Sequence, residues 1–492
     1  MESVYIYIAI LIYIVLGTGV AYLSRQGLGQ GMTDYFLANR TVGGVVGALT
    51  YSATTYSAFM MVGLAGLTYK GGVGAMGFEL IYLSGLVLVA FFGPRFWLVG
   101  KKYNFVTPAE MLGYRYDSSV LAVVVAISYC VFLIPYSAVQ LMGVGYLMSG
   151  MSGGSIDFMT GVIIATVLAI TWAWIAGLRS VAWTDSLQSL VMIIASTLIV
   201  VVVVGKGLGG FGNLFNTLET EYPQWLVVPG SGLFSFKTFL GLSLPWFFFS
   251  ITNPQVSQRL FIPKSMKSMR FTVMGFMIFG FIYTLISIIW GFTAKILLPN
   301  LENADLATAS LLVLPIVPKA LALVVMVGIT AAAISTIDSI LLTLSSVVSR
   351  DVYGNFKDGQ SEERQLYFGK IAIPIIALLA MLFARMQFDL IAVLSVASSA
   401  GLLVTVPTIF GAFFWKKGTA AGSIISILGG GVVSIYLQFS GLKPLGHWPG
   451  AWALIVALAL YVVGSYLTRP PQEKAGEFLS YLNSALKEKG AL

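Results

Sequence analysis

The amino-acid sequence predicts an all-α, polytopic membrane protein with about thirteen transmembrane helices, since each crossing of a bilayer core about 30 Å thick needs about 20 apolar residues. Of the 492 residues, 58% are hydrophobic and only 10% are charged, whereas soluble domains carry about 25% charged residues. The mean hydropathy is +0.89. A single cysteine, Cys130, and a single histidine, His447, exclude an internal disulfide and a histidine-based metal cluster.

Polar and Gly/Pro-rich interruptions divide the chain into its apolar segments. These lie near residues 3–24, 43–67, 73–100, 119–149, 157–178, 183–204, 236–255, 271–297, 308–348, 367–385, 387–415, 419–440 and 446–467. Segments 119–149 and 308–348 exceed one bilayer width, so we expect each to form one long or tilted helix. The first segment lacks a basic start and a small-residue cleavage site, which predicts a retained helix instead of a signal peptide.

The distribution of lysine and arginine predicts the orientation. With the N-terminus outside, seven of the 28 basic residues fall on the outer side: Lys70, Lys206, Lys237, Lys295, Lys319, Arg385 and Lys443. The other 21 (28 − 7), Arg259 among them, fall on cytoplasmic loops and the tail. This threefold bias follows the positive-inside rule and predicts a plasma-membrane protein with a cytoplasmic C-terminus. It also explains the net charge of +8 without a nucleic-acid partner.

Two stretches predict interrupted membrane helices. Residues 51–57, YSATTYS, concentrate small and hydroxyl side chains in the second segment, and residues 250–254, SITNP, end the seventh. Pro254 lacks an amide donor and disfavours helix at Asn253. When the first segment is set aside, the breaks fall in the first and sixth helices of two consecutive five-helix units, as in inverted-repeat transporters. A proline kink and a small-residue packing face would explain either stretch alone; the matched pair favours transport.

Three acidic residues lie inside the predicted spans: Glu79, Asp185 and Asp338. Asp338 belongs to the stretch 331–339, AAAISTIDS, in which Ser335 and Ser339 share a helix face. Hydroxyls and carbonyls suit a hard monovalent cation, whereas a divalent ion usually demands several carboxylates. The stretch therefore indicates a sodium site. The alternative is that its hydroxyls bond to the preceding turn of their own helix.

Several longer motifs carry a family resemblance. They are VAWTDSLQ at 181–188, AAIST at 332–336, SRDVY at 349–353, TDYFLANR at 33–40, and Pro407 followed by FWK at 414–416. On these motifs the chain resembles, over nearly its whole length, the sodium/solute symporters, the family of the sodium/proline, sodium/pantothenate and sodium/glucose transporters. The resemblance implies a leucine-transporter-like, APC-type fold of inverted five-helix repeats with broken first and sixth core helices.

The resemblance also implies sites for sodium ions. The ligands of a first sodium, between the first and eighth core helices, would be the carbonyls of Ala53, Tyr56 and Ala332 and the hydroxyls of Ser335 and Thr336. A second sodium would lie between the fifth and eighth core helices at Asp185, Asp338 and Ser339, beside Ser335. Residue 338 is an acid where a hydroxyl is expected. Three roles stay open for it: strengthening the second site, carrying a proton, or pairing with neighbouring hydroxyls.

A solute site beside the first ion is implied in the same way. Its residues would be Ser57, Phe59, Glu79, Tyr136, Gln140, Trp246, Ser250, Asn253 and Pro254. Glu79 is either a solute contact or a structural acid, and packing alone would explain the aromatic side chains. Thr55 stands where proline transporters carry an aspartate, and residues 48–72 are nearer to the pantothenate branch. With no basic side chain deep in the pocket, we expect a small zwitterionic, neutral or monoanionic solute: pantothenate, proline or another amino acid, or a short carboxylate.

The expected regions follow the segments. They are an extra helix and loop (1–42), a first five-helix repeat (43–204), an outer loop (205–235), a second repeat (236–415), two C-terminal helices (416–467) and a cytoplasmic tail (468–492). The predicted function is sodium-driven import of the solute by alternating access. The main alternative is a proton-coupled permease of the same fold, suggested by Asp338 and Glu79. The short tail argues against a membrane sensor, and the lack of a metal-binding aspartate pair argues against an enzyme.

Overall fold

The computed structural model describes residues 1–24, 31–230, 233–356, 361–387 and 389–489. Within these ranges the chain is helical throughout, and a single parallel backbone bridge between Val42 and Pro263 is the one strand-like pairing. The all-α prediction is therefore confirmed.

Twenty helices, α1 to α20, form the described chain. In order they are Ser3–Ser24, Met32–Leu37, Gly44–Thr55, Phe59–Gly71, Gly74–Tyr103, Pro108–Arg115, Ser119–Ser152, Phe158–Ile175, Gly177–Gly207, Phe211–Glu221, Phe236–Thr252, Pro254–Ser257, Met266–Leu297, Ala307–Leu312, Lys319–Val347, Glu362–Ala384, Ile391–Phe414, Ala420–Ser440, Pro449–Leu467 and Gln472–Glu488. Short 3₁₀ and π turns join or extend several of them.

The number of membrane crossings agrees with the sequence once the broken helices are considered. Eleven described helices are long and apolar enough to span a bilayer, and the bent pair α3 and α4 makes a twelfth. The remaining predicted crossing corresponds to α11, a 17-residue helix that ends at the second break.

The first break lies at the end of the predicted hydroxyl-rich stretch. Helix α3 ends at Thr55, Tyr56 leaves helical geometry (φ −91°, ψ 80°), and α4 continues at an angle of 50° to α3. Six residues of α4, Phe59–Leu64, adopt π-helical hydrogen bonding. Such departures free backbone carbonyls inside the membrane, and they persist only where protein or a polar cavity surrounds them.

The second break lies at Asn253, whose backbone is extended (φ −84°, ψ 110°) between α11 and α12. Pro254 opens α12, where its fixed φ and missing N–H are tolerated. The extended conformation of Asn253 is the one that a following proline imposes. Both predicted breaks are thus present, in the first and sixth helices when α1 is set aside.

Two segment boundaries differ from the prediction. Segment 308–348 is two helices, α14 and α15, because Pro315 and Pro318 fall in the turn between them. Segments 157–178 and 183–204 meet without a loop at Gly177, whose φ of +58° suits only glycine. Segment 119–149 is one 34-residue helix, α7, as expected.

The bundle has two faces, which we name by the chain termini. The amino-terminal face holds Met1, whose amino group donates to the Met151 carbonyl at the end of α7. The carboxy-terminal face holds α20, which lies in the predicted tail and whose buried side chains include Phe478 and Leu482. Helix α15 runs between the faces against α3, α7 and α9 and is 72% buried over its most apolar stretch.

Candidate functional site

The first break meets the middle of α15. Thr336 Oγ lies 3.1 Å from the carbonyl oxygens of both Ala53 and Thr54, on the last turn of α3. Tyr56 ends that turn, and Ala332 lies one turn before Thr336; all of these residues are nearly or fully buried. The structure therefore joins α3 and α15 at an oxygen-rich contact formed by predicted first-site residues. The Thr54 carbonyl was not among the predicted ligands, although the neighbouring Ala53 carbonyl was.

Ser335 faces a different neighbour. Its Oγ donates to Asp185 Oδ1 at 2.5 Å, so α15 is tied to α9 one residue away from the contact with α3. A serine hydroxyl that donates a hydrogen bond to a carboxylate still has the lone pairs of its oxygen available for a cation. Asp185 thus orients a predicted sodium ligand.

The other oxygen of Asp185 is held by two donors. Thr50 Oγ donates to Asp185 Oδ2 at 2.6 Å, and Arg259 Nη2 lies 3.3 Å from the same atom. Arg259 Nη2 also donates to Ser339 Oγ at 2.8 Å. The assignment of Arg259 to a cytoplasmic loop was wrong: the residue is 4% exposed and forms a buried ion pair.

Asp338 stands apart from this pair. Its side chain is 3% exposed, and Oδ1 has no hydrogen-bond partner among the described residues. Ser339, next to it, contacts both Arg259 and Thr54 Oγ, the latter at 3.1 Å. No cluster of three or more histidine, cysteine or acidic residues that could hold a metal occurs in the described ranges.

Aromatic rings from three elements meet beside the first break. The ring centroid of Trp246 on α11 lies 5.4 Å from that of Phe59 on α4, 5.1 Å from Phe78 on α5 and 5.1 Å from Phe249. Tyr136 on α7 extends the group, 5.8 Å from Phe249. These contacts bring three predicted solute-site residues, from three helices, into one aromatic cluster; Phe78 and Phe249 complete the cluster and were missed by sequence reasoning.

Polar groups lie around the same cluster. Trp246 Nε1 donates to Glu79 Oε2 at 3.2 Å, and Ser57 Oγ accepts from the Phe59 N–H at 3.2 Å. Neither amide atom of Gln140 has a partner among the described residues. An unpaired amide that is fully buried costs free energy unless something else binds it.

The second break adds further polar groups. Asn253 Nδ2 donates to Ser399 Oγ on α17 at 3.4 Å, and Pro254 follows it in the chain. The Ser250 hydroxyl and both amide atoms of Gln255 are buried and have no hydrogen-bond partner in the described part of the chain. Gln255 and Ser399 were missed by sequence reasoning, although a glutamine beside Pro254 in a membrane segment was a usable signal.

Both faces are closed over these residues, and the eight predicted solute-site side chains other than Pro254 are at most 4% exposed. On the carboxy-terminal face Gln258 Nε2 donates to the Val106 carbonyl at 2.8 Å and to Ser346 Oγ at 3.0 Å. Outside that contact lies a cavity of about 580 Å³ whose lining includes Glu110 and Arg350.

On the amino-terminal face the turn before α14 closes the site. Asp305 Oδ2 accepts from the N–H of Ile391, the first residue of α17, at 3.0 Å. Burial raises the pKa of the Asp305 carboxyl to about 7, although the Ile391 N–H lowers it. Thr308 on α14 donates to the Met61 carbonyl on α4, so the turn contacts the helix that follows the first break.

Two broken helices that contact hydroxyl-bearing turns of a third, with buried aromatic and amide side chains at the predicted solute site beside them, define an ion-coupled membrane carrier. The chain matches the sodium:solute symporter family over residues 35–430 and belongs to that family. It is a sodium-coupled solute symporter, as its resemblance predicted.

Two individual relatives are similar in sequence to this chain over nearly its full length. The chain is 27% identical over 467 residues to the sodium/pantothenate symporter of Escherichia coli strain K12, covering 93% of this chain and 95% of that protein. It is 25% identical over 502 residues to a sodium/proline symporter of Staphylococcus aureus, covering 96% and 94%.

Solved structures confirm the fold. A Na⁺-coupled sialic acid symporter in a substrate-bound outward-open state superposes with a TM-score of 0.78 at 21% identity, over 94% of this chain and 98% of that one. A nucleobase-cation-symport-1 family transporter in a closed conformation gives a TM-score of 0.57 at 14% identity, over 91% and 98%. The leucine-transporter-like architecture is therefore confirmed.

Proposed function

We propose that the protein imports a small polar solute together with sodium, which binds where α15 meets the first break. The observation that carries this proposal is the position of Thr336 Oγ, 3.1 Å from two backbone carbonyls of α3. The five ligands would be the carbonyls of Ala53, Tyr56 and Ala332 and the hydroxyls of Ser335 and Thr336. A sodium ion there would hold α3 against α15 and complete the solute site next to Phe59.

The carboxy-terminal face would be cytoplasmic, since the positive-inside bias favours it. Transport inward would then require Gln258 to separate from Val106 and Ser346. This separation would open the solute site toward the cavity beside Arg350. Broken helices allow this motion, because their halves tilt without disrupting a continuous hydrogen-bond ladder. One charge moving through 100 mV supplies about 2.3 kcal/mol, or roughly a fifty-fold solute gradient.

The solute class follows from the side chains at the predicted solute site. These are aromatic rings, the Glu79 carboxyl and the buried, unpaired amides of Gln140 and Gln255. The buried cation on the same broken helix, Arg259, is already paired with Asp185. Such side chains suit a zwitterionic, neutral or monoanionic molecule. Pantothenate, proline or another amino acid, and short carboxylates are the candidates, and relatives named for pantothenate and proline support them.

The test is uptake into proteoliposomes under an imposed sodium gradient, screened over these solutes. Thr336→Ala should abolish sodium-dependent uptake, whereas Thr336→Ser should retain it because the hydroxyl remains. Unchanged uptake in sodium-free buffer would contradict sodium coupling. Uptake driven by a pH gradient without sodium would instead favour the proton-coupled alternative.

A further inference from the structure

A cationic side chain lies where the sequence predicts a second sodium ion. Arg259 Nη2 lies 3.3 Å from Asp185 Oδ2, 2.8 Å from Ser339 Oγ and 3.3 Å from Thr50 Oγ. Two of these three oxygens belong to Asp185 and Ser339, which the resemblance assigns to a second ion. Arg259 Nη2 therefore contacts the oxygen atoms that a bound monovalent cation would need as ligands.

We infer that Arg259 is the resident cation of this second site, so that the wild-type protein binds a single sodium ion, at the first site. The inference rests on the proposed function, since it takes the first site at Ser335 and Thr336 as the sodium site. Guanidinium groups keep their charge when buried and suit fixed carboxylate contacts. Asp185 Oδ2 already accepts hydrogen bonds from Thr50 and Arg259, so both of its lone pairs are in use while the pair is formed.

Charge balance supports a single ion. Asp185 and Arg259 form a buried ion pair with no net charge. A second sodium ion beside this neutral pair would add an uncompensated positive charge inside the membrane, which is unfavourable. Without the guanidinium, the Asp185 carboxylate would lose its counter-charge, and a sodium ion would take that place.

Arg259 also connects the broken helix at the solute site to the first ion site. Arg259 follows α12 in the broken helix, and its Nη1 donates to the Gln255 carbonyl at 3.2 Å. Asp185 accepts from Arg259 with one oxygen and from the sodium ligand Ser335 with the other. A movement of the broken helix therefore reaches the sodium site through one carboxylate.

The experiment counts radioactive sodium bound per purified full-length chain at saturating sodium concentration, without solute. We expect one ion for the wild type, two for Arg259→Gln, one for the charge-retaining Arg259→Lys, and one for Arg259→Gln combined with Asp185→Asn. The Hill coefficient of sodium for solute uptake should be about 1 in the wild type and rise towards about 2 in Arg259→Gln, because it is bounded by the number of sites.

Two ions on the wild type, or one on a folded Arg259→Gln variant, would overturn the inference while leaving sodium symport intact. If Arg259→Gln does not fold, the wild-type count decides alone: one ion supports the inference and two overturn it. No bound sodium on the wild type, with sodium-independent uptake, would instead remove the proposed function on which the inference rests.

Discussion

The hydroxyl of Ser335 donates to Asp185 Oδ1 at 2.5 Å. This contact joins a proposed sodium ligand on α15 to Asp185, the only carboxylate that Arg259 contacts in the described structure. Asp185 is fully buried, and its second oxygen accepts from Thr50 and Arg259. A buried carboxylate with this many donors is a structural requirement as well as a functional one. Its removal should therefore affect stability and sodium binding together.

Asp185→Asn should lower the free energy of unfolding by about 3–5 kcal/mol, because the substitution leaves the Arg259 guanidinium buried without a counter-charge. Unfolding in detergent, followed by denaturant or temperature, measures the loss. Combining Asp185→Leu with Arg259→Met should cost less than Asp185→Asn alone, since both charges are then absent.

The partly exposed ion pair on the carboxy-terminal face is the matched control. Glu110 and Arg350 lie 2.8 Å apart, but their side chains are 20% and 34% exposed. Glu110→Gln should cost at most about 1 kcal/mol, since water screens such pairs. An equal loss for Glu110→Gln and Asp185→Asn would contradict the assignment of Asp185 as an essential buried partner.

Gln140 should bind the solute. Both atoms of its amide are buried without a partner among the described residues, so Gln140→Leu should stabilise the solute-free protein by about 1 kcal/mol by removing an unsatisfied polar group. The same substitution should weaken solute binding about tenfold or more, which corresponds to 1.4 kcal/mol. Thermal unfolding with and without solute measures both effects.

Gln258 provides the comparison, because its amide makes two hydrogen bonds. Gln258→Leu should destabilise the solute-free protein, the opposite of Gln140→Leu. If Gln140→Leu also destabilises the protein and leaves solute affinity unchanged, Gln140 has a structural role only.

Much of this arrangement could be predicted from the chain, because membrane spans and helix breaks are local properties. Hydropathy places the spans, and Pro254 disfavours helix at Asn253. The hydroxyls of Ser335 and Thr336 could be identified because hydroxyl pairs inside a membrane helix are conspicuous. In each case the relevant physics acts within a few residues of sequence.

Arg259 could not be placed in this way. The residue follows a proline at the end of an apolar segment, which is the usual signature of a cytoplasmic loop. Its burial depends on Asp185, which lies 74 residues earlier, and on the short turn after α12 that directs Arg259 back into the bundle. The contact of Asp305 with Ile391, separated by 86 residues, was missed for the same reason.

The carboxy-terminal closure should open when Gln258 is removed. Gln258→Ala loses hydrogen bonds to Val106 and Ser346, each worth about 1 kcal/mol, so the open population should rise about 5–30-fold. A Val106→Cys probe on a Cys130→Ser background reports this as faster thiol labelling from the carboxy-terminal face, because residue 106 lies at the contact through its backbone carbonyl and its side chain is buried in the closed structure.

The exposed residue Gln472 on α20 serves as the control, and Gln472→Ala should not change the labelling rate. An equal rate for the Gln258→Ala and parent proteins would show that this contact does not hold the face closed.

The stability of the amino-terminal face should depend on pH through Asp305. Burial raises its pKa to about 7, and the nearby Asp389 acts in the same direction, while the Ile391 N–H and Lys70 oppose the shift. In an unfolded chain an aspartate titrates near about 3.9. Between these two values the native protein retains a proton that the unfolded chain has lost. The free energy of unfolding should therefore fall as pH rises from about 4 to about 7 and level off above that range.

Asp305→Asn should remove this dependence, because an asparagine oxygen can still accept from the Ile391 N–H but does not titrate. The measurement is the apparent melting temperature of both proteins at pH 5, 6, 7 and 8. The wild type should lose stability relative to Asp305→Asn between pH 5 and 7, and the difference should then stay nearly constant. Asp389→Asn, which removes a neighbouring carboxylate but leaves Asp305 in place, should keep most of the wild-type slope. Parallel pH curves for the wild type and Asp305→Asn would show that the Asp305 carboxyl does not exchange its proton in this range.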